Sequence, residues 1–208
     1  MKVFVDDRPY TPAGGREQTL GQLAQEVGES DAAHPRLVVN IHCDGQPLPE
    51  EGMEEMLARP IEQFDTLELI TQPLGSLVAG TLAEASARLA EADAARGQIA
   101  GLLTEGKWEP AFQQLQTLFA AWRQVQEAVL LSSQALNVPL DELRVEDRSV
   151  AEVFDLFKKM LGELKDAMVA RDLVLVADIL QYEFETPFAC WRSLVEQLQQ
   201  RTGSIPEP

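Results

Sequence analysis

Near the C-terminus, Leu173, Ala177, Leu180, Phe184, Pro187, Trp191, Leu194 and Leu198 follow one another at alternating steps of four and three residues. That spacing places apolar side chains along one stripe of an α-helix, and so long a stripe must be covered lengthwise by other helices. Three earlier segments carry the same rhythm. Val78, Leu82, Ala85, Leu89, Ala92, Ile99 and Leu102 mark the first. Trp108, Ala111, Phe112, Leu115, Leu118, Phe119, Trp122, Val125 and Val129 mark the second. Val150, Val153, Phe154, Phe157, Met160, Leu161, Leu164, Ala167 and Met168 mark the third. Four stripes with mostly short connections predict an antiparallel four-helix bundle over residues 75–202, with residues 203–208 as a disordered tail.

The breaks between stripes are written in residues that stop helices. Glu105-Gly106-Lys107 separates the first two, and Ala170-Arg171-Asp172 the last two. Asn137-Val138-Pro139-Leu140 ends the second, and a polar loop forms the longest connection. Pro110 falls in a first turn, where a missing amide costs little, and Ser149 with Glu152 has the pattern of a capping box. Pro187 is out of place. Deep in a helix it removes a hydrogen bond and crowds the carbonyl one turn back. It predicts a bend, which either wraps the helix around its core or opens a groove near Tyr182, Phe184, Phe188 and Trp191. Ala121-Trp122-Arg123-Gln124-Val125 resembles Cys190-Trp191-Arg192-Ser193-Leu194, a weak internal repeat between two helical hairpins.

Residues 1–73 read differently. Lys2-Val3-Phe4-Val5 predicts a strand, Asp6-Asp7-Arg8-Pro9 a turn, and Tyr10-Thr11 the start of a second strand. Thr19 caps a short helix whose apolar face is Leu20, Leu23, Ala24 and Val27, with Gly28 as its stop. Residues 36–43 are β-branched and predict a strand, turned by Asp44-Gly45 towards Gln46-Pro47-Leu48. A short helix over residues 53–58 and a closing strand over residues 65–71 complete the module.

The order strand, hairpin, helix, strand, short helix, strand resembles the β-grasp (ubiquitin-like) superfamily, and within it the small sulfur-carrier and TGS-type modules. The residues that carry the resemblance are 1–11, Thr19-Leu20-Gly21-Gln22-Leu23, Asp44-Gly45-Gln46-Pro47-Leu48 and 65–71. The expected fold class is therefore α+β: a small β-grasp-like domain over residues 1–73, then the bundle. Sulfur carriers of that superfamily act through a free C-terminal Gly-Gly. Here the last strand runs on into Gln72-Pro73-Leu74-Gly75-Ser76 and a second domain, and Gly14-Gly15 lies in an early loop. The resemblance thus implies a docking module with exposed sheet edges, without the carrier chemistry.

Charge narrows the partners. With 34 acidic and 17 basic side chains among 208 residues, the formal charge is −17. Such a field repels nucleic-acid phosphates and anionic membrane faces and favours solubility, and it fits either a partner with a basic patch or a well-solvated surface with no partner implied. Cys43 and Cys190 are far apart and form neither a disulfide framework nor a metal-ligand spacing. The early acids Asp6 and Asp7 argue against a signal peptide, and no apolar run approaches the ~18 residues of a membrane span. The chain is expected to be cytoplasmic.

Catalytic patterns are missing, and no cofactor is implied. His34 and His42 both precede the bundle, which therefore lacks the Glu-x-x-His of a di-metal site. His42 and Cys43, adjacent on a strand, point to opposite faces. Asp178, Glu183 and Glu185 interrupt the last stripe, but acid–base work would need one of them buried. Residues 101–107 read Gly-x-x-x-x-Gly-Lys, yet Trp108 stands where Ser or Thr must bind magnesium. The expected function is a non-enzymatic interaction or adaptor role, chaperone-like in one version. In it the bundle clasps a partner's amphipathic helix or the sheet edge takes a strand. The alternatives are a small-molecule pocket and pairing with a second copy of the chain. The candidate groove or pocket residues are Trp122, Tyr182, Phe184, Phe188 and Trp191.

Overall fold

The computed structural model describes residues 1–31, 34–49, 51–145 and 147–202; the expected tail at 203–208 lies outside them. The chain is α+β, with a mixed sheet in its N-terminal part and helices in its C-terminal part. It divides into two compact units, Met1–Leu77 and the region from Val78 on.

In the first unit, β1 (Lys2–Val5) turns into β2 (Arg8–Tyr10), followed by α1 (Leu20–Glu29), β3 (Arg36–Cys43), β4 (Gln46–Pro47), α2 (Met53–Leu57) and β5 (Thr66–Pro73). The sheet order is β2-β1-β5-β3-β4, with β1 parallel to β5 and every other pair antiparallel. The core consists of Val3, Ile41, Cys43, Leu67 and Leu69 from the sheet against Leu20, Leu23 and Val27 of α1, with Ile61. Thr19 caps α1 through a reciprocal box with Gln22. Gly28 does not stop this helix: it stays within α1, which ends one residue later with Ser30 bonded back to Val27.

Both hairpins close through two-residue turns with positive φ at both positions, Asp6-Asp7 (48° and 63°) and Asp44-Gly45 (52° and 79°). This conformation matches strand twist and suits Asp and Gly. The first turn is shorter than the sequence suggests, because Arg8 and Pro9 already pair with Val5 and Phe4. Asp6 also ties the turn to the neighbouring strands. Its carboxylate accepts from the Thr71 amide and hydroxyl at 2.8 and 2.7 Å, and from Arg36 at 3.2 Å. Burial pushes the Asp6 carboxyl up, but these donors together hold it below its ordinary value.

The sheet edges do not invite a further strand. Pro9 and Pro47 each lie one residue past the pair that closes their hairpin. There a residue's nitrogen faces away from its partner strand, so proline removes the donor that an added strand would need. The edge strands are also only three and two residues long, which blunts them further.

No loop precedes the helices: α3 (Leu74–Thr104) starts directly after Pro73, ahead of the Gly75 boundary expected from sequence. It is followed by α4 (Trp108–Ala135), α5 (Val150–Ala170), α6 (Leu173–Asp178) and α7 (Glu185–Thr202). The polar loop between α4 and α5 holds a small hairpin, β6 (Arg144–Val145) with β7 (Arg148–Ser149), tied to α7 by Gln197 Nε2 donating to the Arg144 carbonyl at 2.8 Å. Ser149 and Glu152 make the expected capping box. In α3, Leu103 is buried in place of Leu102.

The last stripe is not one bent helix. Between α6 and α7 the chain makes a π turn over Ile179–Glu183, in which Phe184 N–H donates to Ile179 O at 3.1 Å. The α pattern resumes at Glu185, so Pro187 occupies the first turn of α7, where its missing N–H has no partner to lose. Carbonyls along the side of this turn take a donor from outside it. Arg96 of α3 donates to two of them, Leu180 O and Gln181 O, while its Nε pairs with Asp93. Asp93 also receives Arg192 of α7 at 2.9 Å.

Candidate functional site

The seam produces a knot of rings. Trp122 of α4 stacks on Phe157 of α5 at 4.2 Å between centroids and meets Phe188 and Trp191 edge-on at 4.6 and 5.6 Å. Phe184 lies 6.0 Å from Phe157 and 6.5 Å from Phe188, and Phe154 lies 5.0 Å from Trp191. Trp122, Phe184, Phe188 and Trp191 are at most 2% exposed. Four of the five candidate residues are thus brought together, but as packed core with no open groove between them. The two tryptophans of the internal repeat face one another. Among the described residues their indole N–H groups have no hydrogen-bond partner; the ring faces around them accept only weakly.

Tyr182 goes elsewhere. It projects from the π turn and is 65% exposed. Two residues before Phe184, it falls on roughly the opposite side of the helix from the seam.

An open apolar surface lies on the flank of α4 and α5. Phe112, Phe119, Leu161, Leu164, Met168 and Val169 line a groove of about 570 Å³, with Lys165 as its charged wall. Val169 is 76% exposed. Trp108, 57% exposed, packs edge-on against Phe112 at 6.2 Å and extends the surface. The helical spacing alone assigns Phe112, Phe119, Leu161 and Met168 to the seam. A signal to the contrary is present in the doublets Ala111-Phe112, Leu118-Phe119, Met160-Leu161 and Ala167-Met168. Neighbours on a helix are ~100° apart, and in each doublet the first residue is buried and the second half-exposed.

The groups that could do chemistry are scattered. Asp178, Glu183 and Glu185 are exposed. Glu163, Asp166, Asp172 and Glu183 share an open recess with Lys159 between α5 and the α6 segment, yet no set of His, Cys, Asp and Glu among the described residues is placed to hold a metal ion. His42 pairs with Glu68 at 3.5 Å, and His34 with Asp31 at 3.0 Å. Cys43 and Cys190 are free and buried; burial, and then Asp44, push the Cys43 thiol up. Glu105 pairs with Lys107 at 2.8 Å. Among the described residues no helix is long and apolar enough to cross a membrane.

Fold and surface together define a mixed-sheet unit joined to a helical unit with a sealed aromatic core and an open apolar groove on the α4/α5 flank. The chain belongs to the family of a domain of unknown function (DUF8042), whose profile matches residues 80–194, from within α3 to within α7. Both the aromatic core and the α4/α5 groove fall inside that match. No curated protein and no solved structure matches the chain.

Proposed function

We propose that this chain is a non-enzymatic interaction or adaptor protein whose helical unit receives an amphipathic helix of a partner protein in the groove between α4 and α5. The observation that carries this reading is the displacement of apolar side chains from the seam to the surface. Phe112, Phe119, Met168 and Val169 remain open although the aromatic seam is already filled. A contiguous apolar groove flanked by charged helices suits the apolar face of a helix. The net charge of −17 favours basic residues on its outer face.

Two readings of the architecture accompany this proposal. The strand order β2-β1-β5-β3-β4, with parallel central strands, supports a β-grasp module in the first unit. The α3, α4 and α5 helices with the α6–α7 rod support a four-helix bundle in the second. In this reading the sheet unit does not dock by strand addition, because Pro9 and Pro47 close its edges.

The test is affinity capture from the source lysate with the wild-type chain and with a Phe119→Glu, Met168→Glu variant, at low and moderate salt. One stoichiometric partner held by the wild type and lost by the variant supports the proposal. A partner retained equally by both, or no partner at all, overturns it.

A further inference from the structure

We infer that the first unit carries a second, independent docking site, a groove beside the β1–β2 hairpin that takes a short acidic peptide segment with an apolar anchor. The groove holds about 560 Å³ and is bounded by Lys2, Phe4, Pro9, Tyr10, Pro12 and Arg16, among others. Phe4, Pro9, Tyr10 and Pro12 give it apolar walls suited to one or two aliphatic or aromatic side chains.

Its charge runs against that of the chain. Residues 1–73 carry 14 acidic but only 5 basic side chains, Lys2, Arg8, Arg16, Arg36 and Arg59. Two of those five line this groove, and no acidic side chain does. Arg36 and Arg59 are committed to Asp6 and Glu55, whereas neither Lys2 nor Arg16 has an ion-pair partner among the described residues. A carboxylate does stand behind the wall, Glu26, but it is already engaged. It accepts from the Tyr10 hydroxyl at 2.8 Å, from the Ala13 amide at 2.7 Å and from the Gly14 amide at 3.4 Å. Those bonds fix the loop that carries Pro12 and Arg16, so the wall is built before any ligand arrives.

Pro9 withholds a backbone donor at this edge, so the occupant is held by its side chains. Carboxylates meet Lys2 and Arg16, and an apolar residue enters between Phe4 and Pro12. Elsewhere the acidic surface repels the same peptide, which confines it to this groove. Nucleic acid would offer anionic groups too, but its charge density meets the whole −17 field.

The experiment is an NMR titration of the ¹⁵N-labelled full chain with a capped seven-residue peptide of Asp and Glu around one Leu-Phe pair. The comparison is the same peptide with Asn and Gln in place of its acids. Backbone shifts confined to residues 2–16 are expected, with affinity falling about three- to tenfold for the neutral peptide, as the loss of two exposed ion pairs requires. Lys2→Glu with Arg16→Glu should give at least the same loss, and salt should weaken the acidic peptide selectively. Equal affinity for both peptides, shifts outside this groove, or displacement by a short single-stranded oligonucleotide would overturn the inference. The peptide comparison uses the unaltered chain, so it decides even where the variant folds poorly. Neither outcome bears on the α4/α5 groove.

Discussion

Arg96 Nη1 donates to the carbonyl oxygen of Leu180 at 3.2 Å across 84 residues of sequence. The side chain is mostly buried and joins three things at once: the exposed side of the π turn, Asp93 on its own helix, and through Asp93 the Arg192 guanidinium on α7.

Removing that guanidinium should uncover two carbonyls and a carboxylate together. Arg96→Ala is expected to lower the stability of the helical unit by about 2 kcal/mol, the usual worth of charge-assisted hydrogen bonds. Arg192→Ala, at the exposed end of the same network, should cost under about 1 kcal/mol. Urea unfolding followed by tryptophan fluorescence measures both; equal losses would show that the π turn does not depend on Arg96.

The aromatic core and Tyr182 should separate cleanly. Trp191→Ala leaves a large cavity and is expected to cost about 3–5 kcal/mol, while Tyr182→Ala should stay within about 0.5 kcal/mol. The same unfolding experiment reads both.

Tyr10 supplies a pH signature in the first unit. Burial, and then its hydrogen bond to Glu26, raise the Tyr10 hydroxyl from 10.0 to about 12. A group with a raised folded value lends stability that is complete below its unfolded value and is lost as pH climbs through the folded one. The first unit should therefore lose stability between pH 10 and about 12, and Tyr10→Phe should remove that component. Amide exchange of residues in β1 and α1 across this range measures it.

Arg171 closes α5 with φ 57° and ψ 28°, a left-handed conformation that suits glycine better than arginine. It is exposed and adjoins Asp172, which caps α6 by accepting from the Leu175 amide at 3.0 Å. Arg171→Gly should raise stability by up to about 1 kcal/mol, seen as a higher thermal midpoint. A lower midpoint would mean that the arginine side chain holds the junction.

Much of the architecture was legible because period and punctuation are local properties. Thr19, Ser149 and Asp44-Gly45 cap and turn where their side chains and allowed φ dictate. The stripes of α3, α4 and α5 marked most of the buried positions, but they missed Ala100, Leu103, Ser132 and Ser133 and included the exposed Trp108 and Phe154. The π turn was not legible: the 4-3-4-3 spacing of the last stripe is the same whether the helix bends at Pro187 or widens before it. Choosing between them takes an outside donor, Arg96, which no local pattern points to. The candidate site shifted for a related reason. The doublets in α4 and α5 carry the signal, but a stripe two residues wide can be a thick core or a core beside an open flank, and the neighbouring helices settle which it is.

The π turn also has an evolutionary consequence. One residue inserted into a regular helix can be absorbed as such a turn. An insertion between Ile179 and Glu183 would have restarted the helical count and opened a first-turn position downstream, where proline became tolerable. Members of this family that lack the extra residue should therefore carry something other than proline at the position of Pro187. They should also be free to lose the arginine at the position of Arg96. Length, proline and arginine would then be gained or lost together as one inherited change.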